Sequence, residues 1–124
     1  MKVLVCGGRD YDDRDAVERA LDPLLMGQRD LLITGGARGA DWLAQQWADR
    51  RGVPCAVFPA AWQRFGVAAG PKRNHWMLWH MTPNLAIAFP GGHGTVDMVK
   101  RATLAGIEVR NLTDGSGPVP REEV

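Results

Sequence analysis

Serine and cysteine are scarce in this chain: Ser116 is the sole serine, and Cys6 and Cys55 are the only cysteines. Ser116 lies in a stretch of Gly, Pro and charge, so no serine nucleophile is apparent. Both cysteines fall in apolar, strand-like runs and read as buried thiols in a reducing cytoplasm, with no spacing for a disulfide or a metal pair. The histidines offer no metal spacing either, since His75 and His80 point to different sides of a helix. No apolar run reaches the length of a membrane span, and the N-terminus lacks the apolar stretch and cleavage site of a secretory signal. A cytoplasmic protein without a membrane partner is expected. A large charge excess is also missing. The net charge of +1 argues against whole-surface attraction to nucleic acid. There is no Gly-Lys-[Ser/Thr] for a P-loop, and the first glycine turn does not fit Gly-x-Gly-x-x-Gly. The acidic cluster Asp10, Asp12, Asp13 and Asp15 fails as a calcium loop. That loop needs glycine at its sixth position and glutamate at its twelfth, where this chain has Asp15 and Leu21. Capping and solvation explain the cluster.

What remains is an ordinary apolar fraction, 45% of 124 residues, enough for one soluble domain. Short continuous apolar runs predict strands over residues 2–5, 31–34, 53–58, 85–89 and 107–110. Helices are predicted over 13–26, 40–51, 71–81 and 95–105, with Pro23 kinking the first or opening a second short turn and Gly27 stopping it. Residues 59–70 read as a loop, 1–110 as a single domain, and 111–124 as a mobile tail. Strands alternating with helices predict a Rossmann-like α/β fold. It has three layers (α/β/α) and a five-stranded parallel sheet in the order 3-2-1-4-5. The winding then reverses between strands 1 and 4. Ligands of open α/β sheets bind at such a reversal, beyond the carboxyl ends of the strands.

Three glycine turns fall at those ends: Gly7-Gly8-Arg9 after strand 1, Gly35-Gly36-Ala37-Arg38-Gly39 after strand 2, and Pro90-Gly91-Gly92-His93-Gly94-Thr95 after strand 4. Glycine lets backbone approach a ligand closely, and a helix start behind it supplies unpaired N–H groups and a positive dipole end. One such turn is common turn chemistry; three at one place read as a phosphate-binding pocket of nucleotide size. Arg9, Arg38 and Arg73 are candidate anion partners because a guanidinium fork matches phosphate, and Asn74 sits beside Arg73. Asp41, in the first turn of its helix, either complements the helix dipole or holds the loop by accepting its N–H groups. Asp97, predicted in the first turn of the last helix, has the same readings, and could also bond a ribose hydroxyl or act as a general base. No cofactor and no metal are expected. Trp76 and Trp79, with Met77, Leu78 and Met81, make a helix apolar nearly all round. A domain this small cannot easily bury its five tryptophans, so a homo-oligomer is expected, a dimer or higher.

Several motifs together resemble the SLOG superfamily, the Rossmann-like group containing the LOG enzymes and DprA, and most closely its YspA-like branch. They are Cys6-Gly7-Gly8-Arg9-Asp10-Tyr11, Gly35-Gly36-Ala37-Arg38-Gly39-Ala40-Asp41, Pro59-Ala60-Ala61-Trp62, Ala69-Gly70-Pro71-Lys72-Arg73-Asn74 and Phe89-Pro90-Gly91-Gly92-His93-Gly94-Thr95. The resemblance implies a nucleotide or nucleotide-derived ligand over the glycine turns. The LOG relatives imply an alternative, hydrolysis of the N-glycosidic bond of a nucleoside monophosphate, with Arg73 matching their arginine. Their catalytic glutamate falls at Met98, which cannot carry a proton, leaving Asp97 as the candidate acid/base. The DprA resemblance, carried by Ala37-Arg38-Gly39-Ala40-Asp41, implies a second alternative, single-stranded DNA binding.

Overall fold

The computed structural model describes residues 1–112. Strands β1 (Lys2–Cys6), β2 (Leu31–Thr34), β3 (Cys55–Val57), β4 (Leu85–Ala88) and β5 (Glu108–Asn111) form one parallel sheet in the order β3-β2-β1-β4-β5. Helices α1 (Arg14–Leu21) and α2 (Ala40–Arg51) cover one face; α4 (Ala69–Met81) and α5 (His93–Leu104) cover the other, and the one-turn α3 (Trp62–Phe65) follows β3. Side-chain alternation along the strands builds both layers. Val3 and Val5 join Val17, Leu21 and Trp47 beneath α1 and α2, while Leu4 joins Met77, Met98 and Ala102 beneath α4 and α5. The predicted Rossmann-like architecture and strand order are those observed. Among the described residues, no helix is long and apolar enough to cross a membrane.

The details differ at the element ends. The first helix stops at Leu21, and Pro23 opens the second short turn, a 3-10 turn over Asp22–Leu24. Leu25 in the left-handed region, not Gly27, reverses the chain there. The expected loop over 59–70 contains α3 and a 3-10 turn, Gly66–Ala68, and the next helix starts at Ala69. β3 is an edge strand, so Cys55 is exposed rather than buried. Asn111 still pairs with Ala88, and Leu112 packs into the core, so the expected tail contributes its opening residues to the fold. Its remainder, 113–124, lies outside the described residues. Trp47 is buried, whereas Trp42, Trp62, Trp76 and Trp79 are exposed.

The register that sets Cys6 opposite Ala88 starts the turns after β1 and β4 level with each other. Those turns and the one after β2 meet at Gly8. Its N–H donates to the Pro90 carbonyl at 2.8 Å, and its carbonyl accepts from Tyr11 N–H at 3.2 Å and Ala40 N–H at 3.1 Å. Such backbone-to-backbone approach leaves no room for side chains. A Cβ on Gly7 would lie 2.5 Å from the Ala40 Cβ, and one on Gly91 would lie 2.7 Å from the Gly8 nitrogen. Gly39, at φ +82°, would press a Cβ onto the Gly8 carbonyl. Gly39→Ala therefore destabilises the fold by about 2–4 kcal/mol, combining backbone strain with a clash that cannot relax. Gly27→Ala, which meets open space, shifts stability by less than about 1 kcal/mol. Urea unfolding midpoints of the two variants check this difference.

Candidate functional site

Below the knot, Asp41 organises the turn after β2. It lies in the first turn of α2, where one carboxylate oxygen accepts Gly35 N–H at 3.1 Å and Ala37 N–H at 3.2 Å. The loop-holding role is thus visible in the bonds. The price is desolvation: burial raises the Asp41 pKa from 3.8 to about 6, against the two N–H bonds and the Arg73 charge, which lower it. Cys6, half-buried nearby, has its thiol pushed up to about 12, first by burial and then by the Asp41 charge. It is not a thiolate nucleophile.

Arg73 enters from the second turn of α4 and passes under Gly35. Its Nη1 donates to the Gly35 carbonyl at 2.9 Å and the Phe58 carbonyl at 3.4 Å, and its Nε donates to the Asn74 carboxamide oxygen at 2.8 Å. A Cβ on Gly35 would overlap the guanidinium, 2.6 Å from its Cζ. Burial lowers the Arg73 pKa. Nη2 makes no hydrogen bond among the described residues, and no buried side-chain nitrogen or oxygen among them lacks a partner, so Nη2 is open to solvent. Asn74 is buried and fully engaged. Its amide donates to the Gly94 carbonyl at 3.1 Å and to Asp97 at 3.0 Å, tying α4 to the start of α5.

These parts surround a cleft of about 700 Å³ at the carboxyl ends of β1, β2 and β4, within the size range of small-molecule sites. Gly7, Gly8 and Arg9 line it from the β1 turn; Gly35, Gly36, Arg38 and Asp41 from β2 and α2. Arg73 and Asn74 line it from α4, and Gly92, His93, Gly94 and Thr95 from the start of α5. Gly39, Pro90 and Gly91 stand behind this wall, in the knot. Helix α5 begins at His93, two residues earlier than predicted, because Gly92 is its N-cap. Gly92 has no side chain to cap with, and the N–H groups of His93, Gly94 and Thr95 make no hydrogen bond among the described residues. A Cβ on Gly92 or Gly94 would meet open space.

Asp97, the candidate acid/base, does not line the cleft either. The earlier helix start places it in the second turn, and its carboxylate is held by Asn74 and by Arg101 Nε at 2.8 Å. Met98 is buried among Leu4 and Met77. Among the described residues, the cleft therefore sets Arg9, Arg38 and Arg73 against one carboxylate, Asp41. The Arg38–Asp10 pair, 3.5 Å apart and exposed on both sides, takes little from that positive balance. No cluster of His, Cys, Asp and Glu able to hold a metal is present among the described residues. Pro59, Ala60, Trp62 and Met77, which are not among the site residues expected from the sequence, also line the cleft. The signal for the first three was the Pro59-Ala60-Ala61-Trp62 motif, which leaves β3 on the same side as the glycine turns.

The family model YAcAr, described as the YspA, cpYpsA-related SLOG family, matches residues 1–65. The Gene 61 protein of Mycobacterium phage D29 is 36% identical over 122 residues, covering 91% of this chain and 97% of that protein. The chain belongs to this SLOG family. The X-ray structure of TM1055 shares the fold, with a TM-score of 0.64 at 19% identity, covering 88% of this chain and 72% of that one. The matched segment of this SLOG domain contains two of the three glycine turns and Asp41; the turn after β4 lies beyond it.

Asp41 gives this site a pH signature. Below about pH 4 its carboxyl is protonated in both folded and unfolded chains. Between there and about pH 6 the unfolded chain releases a proton that the folded chain keeps, so stability from this group is lost as pH rises. Asp41→Asn keeps an oxygen for the two N–H groups and removes the charge. The variant gains on the wild type by about 3 kcal/mol between those pH values, read as the change in the difference of their urea midpoints.

Proposed function

We propose that this protein binds a nucleotide or nucleotide-derived ligand in the cleft, with the ligand's phosphate over the start of α5. The observation that carries the reading is the uncapped α5 N-terminus, opening into a cleft whose charged side chains are mostly arginines. Free N–H groups and a positive dipole end favour an anion there. Asp41 does not oppose this strongly, because its carboxylate is already spent on Gly35 and Ala37. Arg73 supports the reading in a specific way: three of its hydrogen bonds fix the guanidinium while Nη2 remains available. The volume suits a nucleotide better than inorganic phosphate alone.

The N-glycosidase alternative has less support. Glycoside cleavage commonly uses two carboxyl groups flanking the bond, whereas Asp97 is turned to Asn74 and Arg101 and position 98 is a buried methionine. Nor does the geometry favour a DNA-binding reading, for which a broad basic stripe is the usual footprint.

Gly92→Val tests the binding reading, because the added side chain meets no protein atom at its Cβ. Its thermal midpoint stays near that of the wild type, while calorimetric affinity for nucleoside monophosphates falls at least about tenfold, since the side chain intrudes where the anion approaches the N–H groups. Undiminished affinity in a folded variant would place the phosphate elsewhere.

A further inference from the structure

We propose that Trp62 is the platform on which the ligand's base stacks. The cleft then takes a nucleotide bearing an aromatic base, with phosphate toward α5 and base toward the end of β3. This rests on the reading of the cleft as a nucleotide site and adds to it the orientation and the group recognised at the far end.

Trp62 opens α3, which follows β3 after the link 58–61, and lines the cleft with 46% of its surface exposed. An indole left this open in the free protein is a large apolar area waiting for a flat partner. Trp42, Trp76 and Trp79 are exposed too, but none of them lines the cleft. The ring is partly seated: its Cη2 lies over Gly70 in the first turn of α4, where a Cβ would come to 3.4 Å. On the ring itself lies the Arg9 guanidinium, with Cζ 4.9 Å from the centroid.

Arg9 reveals how accessible the ring is. It makes no hydrogen bond or ion pair among the described residues; its guanidinium lies on the π system and faces the like charge of Arg73. A cation held only by a ring, on an exposed side chain, is readily displaced, or sandwiched by a second flat group. A nucleobase offers such a group. The neighbouring wall of Gly36, Pro59 and Ala60 is small and uncharged, leaving room for a ring. An anion cradle at one end of a cleft and an aromatic face at the other fit a ligand with a phosphate and a base; a sugar phosphate would use only the cradle.

Calorimetric titration of the full chain with adenosine monophosphate and with ribose monophosphate separates the two readings. The wild type prefers the nucleotide by roughly tenfold to a hundredfold. Trp62→Ala abolishes that preference by weakening adenosine monophosphate far more than ribose phosphate; Trp62→Phe restores most of it. The stacking role is overturned if Trp62→Ala keeps the preference, or if it weakens both ligands equally, as a mere packing defect would. Equal wild-type affinities for the two ligands overturn stacking and leave the anion cradle standing. Binding of neither ligand overturns both.

Discussion

The whole arrangement depends on backbone meeting backbone at Gly8. Three chain segments far apart in sequence converge on one residue, Gly8, which uses its N–H for Pro90 and its carbonyl for Ala40 and Tyr11. Hydrogen bonds at about 3 Å between main chains require that neither side carry bulk toward the other, and glycine at positions 7, 39 and 91 meets that condition. The sheet register sets the ends of β1 and β4 level, so their turns start side by side before meeting at Gly8. The knot also divides the glycines by task. Gly7, Gly39 and Gly91 are fixed by protein contacts, whereas Gly92 and Gly94 face open space.

Charge in the cleft follows from the same economy of contacts. Holding the β2 turn needs an acceptor for two adjacent N–H groups, and Asp41 supplies it from the start of a helix, where its charge is also favoured by the dipole. Burial nevertheless raises its pKa to about 6, so the carboxylate stands only because the loop and Arg73 stabilise it. Arg73 is bound by two main-chain carbonyls and Asn74 rather than by a single carboxylate. A nearly neutral chain thereby presents a locally positive hollow, which is the scale at which electrostatics selects a small anion.

Asn74 connects this hollow to α5. One buried carboxamide accepts from Arg73 and donates to Gly94 and Asp97, so guanidinium, helix start and acid are positioned by one side chain. Asp97 is part of that support. Its two partners draw the carboxylate toward α4 and along its own helix, away from the cleft.

By itself, the sequence determined the layers, the strand order and the three turns. Alternating apolar runs have few compact solutions, and crossover handedness with the switch-point rule leaves little choice of order. Arg73 was legible for the same local reason, a guanidinium beside a carboxamide at a helix start. Only the tertiary structure decided that Cys55 is exposed, since an apolar run looks alike at a sheet edge and at its centre. It also decided that α5 starts at His93, which follows from where Gly92 stands relative to the knot, and that Asp97 faces Asn74 while Trp62 faces the cleft. Composition and periodicity report what a segment prefers. Which neighbour a side chain meets depends on residues distant in the chain, and the close approach at Gly8 fixes those distances.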